Sequence, residues 1–217
     1  MIAKITKFRI LLLATVCLSC SQQNLRQTSV QSHVIYLHGQ IVENYGRHPF
    51  SEQYGFYELD SILSSLEQSH TKVYCSIRPA STVPEDYALI VSNQIDSLLS
   101  EGVPPNSITV VGASKGAIIA SFVSSRRDTP INYVLLAGNN DFQEANNDWV
   151  FHGQVLTIFD PSDQIAGKNY NYWQQRSEAT KFKQVELMLG LGHGFIYRPL
   201  PDWIEPTNQW ISEQKAF

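Results

Sequence analysis

The sequence predicts a doubly wound, mostly parallel α/β sheet. Short apolar runs rich in β-branched residues recur along the chain, as expected of strands buried on both faces. Between several of these runs lie longer segments whose apolar residues have helical spacing. The 217 residues, of which 43% are hydrophobic and 17% charged, are enough for one globular domain.

The strands and helices can be placed in chain order. The predicted strands cover residues 33–37, 72–77, 108–111, 132–137, 154–159 and 184–189. The predicted helices cover residues 57–70, 84–100, 117–123 and 203–214, and residues 47–54 are predicted to form a loop. Pro84 at the start of the second helix and Gly102 beyond its end are typical of helix boundaries.

Polar residues and glycines follow most of these strands. In open α/β sheets the working site lies at the carboxyl ends of the strands, so these residues are expected to converge at one edge. They are His38, Gly39, Gln40, Arg78, Ser114, Asp160, Asp163 and His193.

The stretch 107–125 carries the most specific motif. Gly112-x-Ser114-x-Gly116 lies between a short apolar strand and a helix of small and apolar residues, which is the pattern of a nucleophile elbow. A turn this sharp requires glycine on both sides, because a Cβ there would collide with the neighbouring strand or helix. The alternative is an ordinary strand-to-helix turn in which Ser114 caps the helix.

Ser114, Asp163 and His193 follow successive parts of the chain in the order serine, aspartate, histidine. In this order, and with the elbow, residues 34–214 resemble the α/β-hydrolase superfamily. The resemblance implies that Ser114 is the nucleophile, His193 the base and Asp163 the acid. Asp160 is the competing acid, but it precedes Pro161 as in a type I turn, which favours a structural use of its carboxylate.

The resemblance also implies an oxyanion hole and a substrate site. The backbone N–H groups of Gln40 and Lys115 would stabilise the tetrahedral oxyanion. Four further residues are predicted to bind substrate: His38, Gly39, Glu43 and Arg78. Glu43 and Arg78 are predicted to form an ion pair at the pocket rim, and the alternative is two unrelated surface charges.

The implied function is that of a serine hydrolase that cleaves carboxyl esters or thioesters through an acyl-enzyme. An acyltransferase or a peptidase could use the same triad, and a lipid-anchored binding module could retain the fold without turnover. No metal or organic cofactor is implied. Residues 139–153, where larger relatives carry a lid, are short and polar, which predicts an open site.

The N-terminus predicts export. Residues 1–19 combine three basic residues with an apolar run too short to span a bilayer. Cys20 follows, as in a bacterial lipoprotein signal, and would be lipidated, with residues 20–32 as a tether and 33–217 as the hydrolase domain. The protein is expected to be anchored to a membrane and to face the periplasm or the cell exterior. The alternative is ordinary secretion after cleavage near Ser19.

Composition excludes one class of partner. The chain carries 16 basic and 20 acidic residues; without the three basic residues of the signal, 13 basic remain against 20 acidic, a net charge of −7. This charge argues against nucleic acid as a partner. The partners implied by the resemblance and by the N-terminal signal are a small ester or acyl substrate and the membrane at Cys20. Cys75 is the only cysteine after Cys20 and is predicted to be a buried, inert thiol.

Overall fold

The computed structural model describes residues 32–213, so the predicted signal, Cys20 and residues 21–31 of the predicted tether lie outside the described residues. The strands are β1 (Ser32–Leu37), β2 (Phe50–Ser51), β3 (Gly55–Phe56), β4 (Thr71–Tyr74), β5 (Ile108–Ala113), β6 (Asn132–Leu136), β7 (Gln154–Phe159) and β8 (Lys181–Glu186). The α-helices are α1 (Gln40–Tyr45), α2 (Leu59–Leu66), α3 (Pro84–Ser100), α4 (Lys115–Ser125), α5 (Asp141–Asn146), α6 (Asn171–Gln174) and α7 (Pro201–Glu213).

Among the described residues, the central sheet has six parallel strands in the order β4-β1-β5-β6-β7-β8, and β2 and β3 form a separate antiparallel hairpin. The predicted class, a doubly wound parallel α/β sheet, is confirmed. After β4 the strand order reverses, because β5 lies on the other side of β1. Leu37 and Gly112 are paired across these two strands, so the sheet's switch point lies where the His38-Gly39 segment and the elbow begin.

Two hydrophobic clusters cover the two faces of the sheet. Successive strand residues point to opposite faces, so Val34 packs with α2 and α7 while Ile35 packs with α3 and α4. The central strands β5 and β6 are buried along their full length, which explains why their apolar runs were readable from the sequence.

The structure corrects several boundaries. β8 covers Lys181–Glu186 instead of 184–189, and its residues alternate between exposed and half-buried for most of its length. It is an edge strand with β7 as its one neighbour in the sheet, so lysines are tolerated there, and the apolar residues 187–189 lie beyond it. Residues 40–45 form a helix that was not predicted, and part of the predicted loop 47–54 belongs to the β2–β3 hairpin.

Cys75 is a free, half-buried thiol, and burial raises its pKa to about 11, so it stays protonated at neutral pH.

Within residues 32–213, none of the helices has the length and apolar character needed to cross a bilayer.

Candidate active site

Ser114 lies between β5 and α4 in a strained backbone conformation. Its φ is 53° and its ψ is −119°, outside the regions that residues with a side chain normally occupy. A Cβ at Gly112 would overlap the carbonyl of Gly116, and a Cβ at Gly116 would overlap the carbonyl of Leu37. Ser114 makes no side-chain cap on α4, so its hydroxyl is not used as in the ordinary turn.

The Ser114 hydroxyl contacts His193 instead. Ser114 Oγ lies 2.9 Å from His193 Nε2, and His193 Nδ1 lies 2.7 Å from Asp163 Oδ2. His193 is held in a short 3-10 helix, Gly192–Tyr197, and the Asp163 side chain is fully buried. A carboxylate can only accept, so Nδ1 carries the proton and Nε2 is free to accept the serine proton. Chemically, this arrangement would allow the imidazole to activate the serine hydroxyl while the carboxylate orients the ring.

The carboxylate of Asp163 is held on both oxygens. While Oδ2 faces His193, Oδ1 accepts the backbone N–H groups of Ile165 and Ala166 at 2.8 and 3.1 Å. These two donors prevent the carboxylate from turning away from the imidazole.

Asp160 has a different environment. Its Oδ1 accepts the N–H of Ser162 at 2.9 Å and its Oδ2 accepts the N–H of Leu189 at 2.8 Å. Burial acts to raise the pKa of the Asp160 carboxyl, but hydrogen bonds from the Ser162, Leu189 and Gly190 segments together hold it below its usual value. Asp160 therefore ties the end of β7 to the loop that carries His193, as a structural carboxylate would.

The predicted oxyanion donors lie at two helix starts. Gln40 is the first residue of α1 and Lys115 the first residue of α4, so the helices do not use their backbone N–H groups. Both residues line a cavity that also contains Ser114. The structure thus brings together Ser114, Asp163, His193, Gln40 and Lys115.

Three of the four predicted substrate contacts need correction. Gly39 lines a cavity beside Ser114, but His38, Glu43 and Arg78 are buried beneath the site. Glu43 and Arg78 have fully buried side chains, so in this conformation they cannot touch a substrate. The predicted ion pair between them is present, with Arg78 Nε donating to Glu43 Oε1 at 2.7 Å. It lies under the pocket because α1, absent from the prediction, carries Glu43 inward.

His38 is held as a neutral imidazole. Its Nδ1 lies 3.0 Å from the carbonyl of Gly39, and its Nε2 accepts the backbone N–H of Arg78 at 3.3 Å. Burial, reinforced by the Arg78 charge, lowers the pKa of His38 to about 4. A ring with one donor and one acceptor in use is suited to holding the backbone rather than to exchanging protons.

Two cavities meet at the serine and share Gln40, Ser114 and Ile165. The smaller, about 190 Å³, is lined on its other walls by Gly39, Ile41, Tyr57, His193, Ile196 and Tyr197. The larger, about 290 Å³, is lined by Pro84, Lys115, Ile118, Ala137, Gly138, Asn140 and Ala166. Most of these apolar walls escaped the sequence analysis, because an apolar cavity wall has the same residue types as a core.

Tyr54 was also missed. Its ring lies 6.4 Å from the His193 ring, centroid to centroid, and a Cβ at Gly194 would contact it. Gly194 thus allows Tyr54 to lie beside the loop that carries the imidazole, and the glycines around His193 were the available signal. Within residues 32–213, no group of His, Cys, Asp and Glu side chains is suited to hold a metal ion.

Known proteins resemble this chain in structure, but no match was found by sequence. No family model matches the chain, and no curated protein matches it in sequence. SOBER1 from Arabidopsis thaliana is 14% identical, with a TM-score of 0.55 over 86% of this chain and 100% of its own. An esterase from Pyrococcus furiosus is 13% identical, with a TM-score of 0.54 over 84% of this chain and 83% of its own. A protein described as a YdeN-like hydrolase, from Pectobacterium atrosepticum, is 12% identical, with a TM-score of 0.54 over 85% of this chain and 92% of its own.

Proposed function

From the α/β-hydrolase fold that this chain shares with those structures, we propose that it is a serine hydrolase that cleaves carboxyl ester or thioester bonds through an acyl-enzyme. One observation carries the proposal: the unbroken hydrogen-bonded chain from Ser114 Oγ through His193 to Asp163, at 2.9 and 2.7 Å. These three residues follow three different strands and still meet with this geometry, which argues for chemical use.

The proposed reaction begins with proton transfer from Ser114 Oγ to His193 Nε2 as Oγ attacks the substrate carbonyl. Asp163 stabilises the imidazolium, and the N–H groups of Gln40 and Lys115 bind the oxyanion. When the tetrahedral intermediate collapses, the carbon–leaving-group bond breaks and Nε2 returns the proton to the leaving group. Water then attacks the acyl carbon while Nε2 takes one of its protons. The bond between that carbon and Ser114 Oγ breaks, Nε2 returns the proton to Oγ, and the acid is released. Removing one oxyanion donor typically costs about 3 kcal/mol of barrier.

The two cavities suggest how a substrate is oriented. His193 must reach the leaving group to protonate it, and it lines the smaller cavity, so the leaving group belongs there. The acyl group then extends into the larger cavity, which has a volume of about 290 Å³. Each methylene buried there adds about 0.8 kcal/mol of binding, or about fourfold in kcat/KM. We therefore expect short and medium acyl chains.

The exposure of the serine favours hydrolysis over acyl transfer. Ser114 is partly exposed and borders both cavities, so water can reach the acyl-enzyme. An acyltransferase has to limit that access.

The proposal is tested with a fluorophosphonate probe and with p-nitrophenyl esters of increasing acyl length. The wild-type protein should be labelled and should hydrolyse the esters, with kcat/KM rising and then falling as the chain outgrows the larger cavity. Ser114→Ala should abolish both signals at an unchanged melting temperature, whereas Ser97→Ala, on the exposed surface of α3, should change neither. Labelling of another serine in the Ser114→Ala variant would overturn the assignment.

We further propose that the protein is exported and attached to a membrane by a lipid on Cys20, a proposal that rests on the basic and apolar pattern of residues 1–19. Palmitate should be incorporated in cells by the wild-type protein and not by Cys20→Ser. A mature protein that begins at Ser21 or later and carries no lipid would instead establish conventional secretion.

A further inference from the structure

We propose that a buried cluster of Glu43, Arg78 and Lys115, called here the Glu43 cluster, positions the two backbone N–H groups that bind the oxyanion. This inference rests on the proposed function, since it concerns the transition state of that reaction. Its members come from α1, from the segment after β4 and from the start of α4. The role proposed for these side chains is to hold the two donors in place, although Lys115 also borders the larger cavity.

Glu43 connects the two helix starts directly. It lies in the first turn of α1, three residues after Gln40, and its Oε2 accepts the Lys115 ammonium at 2.5 Å. Lys115 is itself the first residue of α4 and carries the second proposed oxyanion donor on its own backbone. The carboxylate therefore holds together the two turns from which the N–H groups of Gln40 and Lys115 emerge.

Arg78 holds the chain that leads into α1. Its Nη2 donates to the carbonyl of His38, and its backbone N–H donates to the His38 ring, whose Nδ1 in turn donates to the carbonyl of Gly39. In a planar trans peptide the N–H points opposite to the C=O. Holding the Gly39 carbonyl against the His38 ring therefore aims the Gln40 N–H to the opposite side.

The burial of these charges supports a role beyond stability. The Arg78 and Glu43 side chains are fully buried, and Lys115 is 13% exposed. A buried ion pair is often no more stable than an apolar replacement, because desolvation offsets the attraction. The cluster also combines two cations with one carboxylate, and Arg78 Nη1 has no hydrogen-bond partner within the described residues. The surplus positive charge lies behind the donors, where a developing oxyanion would be stabilised.

The experiment replaces Lys115, since its backbone donor survives any side-chain change. Lys115→Met removes the ammonium and leaves the Glu43–Arg78 pair intact. Lys115→Arg should restore the contact with Glu43. The matched control is Lys181→Met, which breaks a lysine–glutamate pair at 3.1 Å at the opposite end of the sheet.

We expect Lys115→Met to lower kcat by about 10- to 100-fold, somewhat less than the loss of one donor, with KM within about twofold of wild type. The rate of phosphonylation by the fluorophosphonate should fall by a similar factor, because its phosphoryl oxygen needs the same donors. Lys115→Arg should recover most of both rates, and Lys181→Met should keep the wild-type values. Melting temperatures identify any variant that is partly unfolded. If Lys115→Met is partly unfolded, Lys115→Gln serves as a second test.

Three results would overturn the inference. Lys115→Met could have the same kcat as Lys181→Met, or it could change KM alone. A folded Lys115→Arg variant could also fail to recover kcat. Failure of the proposed function is distinguishable, because the wild-type protein itself would then show neither turnover nor labelling.

Discussion

Replacing Asp163 with asparagine should nearly abolish turnover without unfolding the protein. The two backbone donors at Asp163 Oδ1, the N–H groups of Ile165 and Ala166, decide how the new amide is oriented. Its oxygen must face them, so its NH₂ group faces His193 Nδ1 in place of Oδ2, now 2.7 Å away. An amide N–H can only donate, so Nδ1 must become the acceptor, and the ring proton moves to Nε2. Nε2 then cannot take the proton of Ser114.

The magnitude follows from that tautomer. A histidine held with the wrong nitrogen protonated costs about 10⁴-fold in kcat, or about 5.5 kcal/mol of transition-state stabilisation. The fold should lose little, because both backbone hydrogen bonds to Oδ1 survive. In the wild-type protein both Asp160 oxygens accept backbone N–H groups. In Asp160→Asn the new NH₂ group faces one of those N–H donors, so one hydrogen bond is lost. That variant should lose about 2 kcal/mol of unfolding free energy and keep kcat within about tenfold.

The assay is hydrolysis of a p-nitrophenyl ester together with urea unfolding of both variants. An Asp163→Asn protein that keeps kcat within tenfold of wild type, or an exchange of effects between the two variants, would show that Asp163 does not orient His193. A large loss of stability in Asp163→Asn would show that the amide does not adopt the orientation that the backbone donors impose.

The remaining predictions concern the elbow and the buried polar groups beneath it. Gly116→Ala should cost about 3 kcal/mol by urea unfolding, because its Cβ would overlap the backbone carbonyl of Leu37, which cannot move aside as a flexible side chain could. Glu43→Gln should lower the unfolding free energy by about 3–5 kcal/mol, because it leaves the Arg78 and Lys115 cations without a carboxylate. Arg78→Met should cost less, because Glu43 and Lys115 still neutralise each other. The double variant should lose less unfolding free energy than the sum of the two single variants. The lowered pKa of His38, about 4, means that the unfolded chain binds a proton below its ordinary pKa of about 6.5 while the native protein does not. Unfolding free energy should therefore fall by about 3 kcal/mol as the pH drops from 6.5 to 4, and His38→Gln should lack that part of the fall.

Each of these has a contrary outcome. A Gly116→Ala protein as stable as wild type would mean that the elbow and β1 leave room for a Cβ between Gly116 and the Leu37 carbonyl. Simple additivity of Glu43→Gln and Arg78→Met would count against a coupled pair. An identical pH dependence in His38→Gln and wild type would show that His38 does not stay neutral on folding.

The sequence alone determined those features that depend on a few neighbouring residues. The glycines at 112 and 116 predict the elbow because the backbone of Ser114, with φ of 53°, leaves no room for a Cβ on either side. The choice of Asp163 over Asp160 as the partner of His193 also followed from local chemistry, because the Asp160-Pro161 turn uses the first carboxylate on its own backbone. The parallel sheet followed from buried strands whose apolar runs leave little alternative.

Tertiary structure alone decided which polar groups are buried and what they hold. Arg78 and Lys115 meet Glu43 from 35 and 72 residues away along the chain, and the predicted rim pair proved to be a buried cluster because α1 turns Glu43 inward. The cavity walls, such as Ile118 and Tyr197, and the position of Tyr54 beside His193 likewise depend on packing between distant segments. A turn is specified by the backbone limits of adjacent residues, whereas the burial of a charge depends on every segment that closes over it, and no short stretch of sequence encodes that.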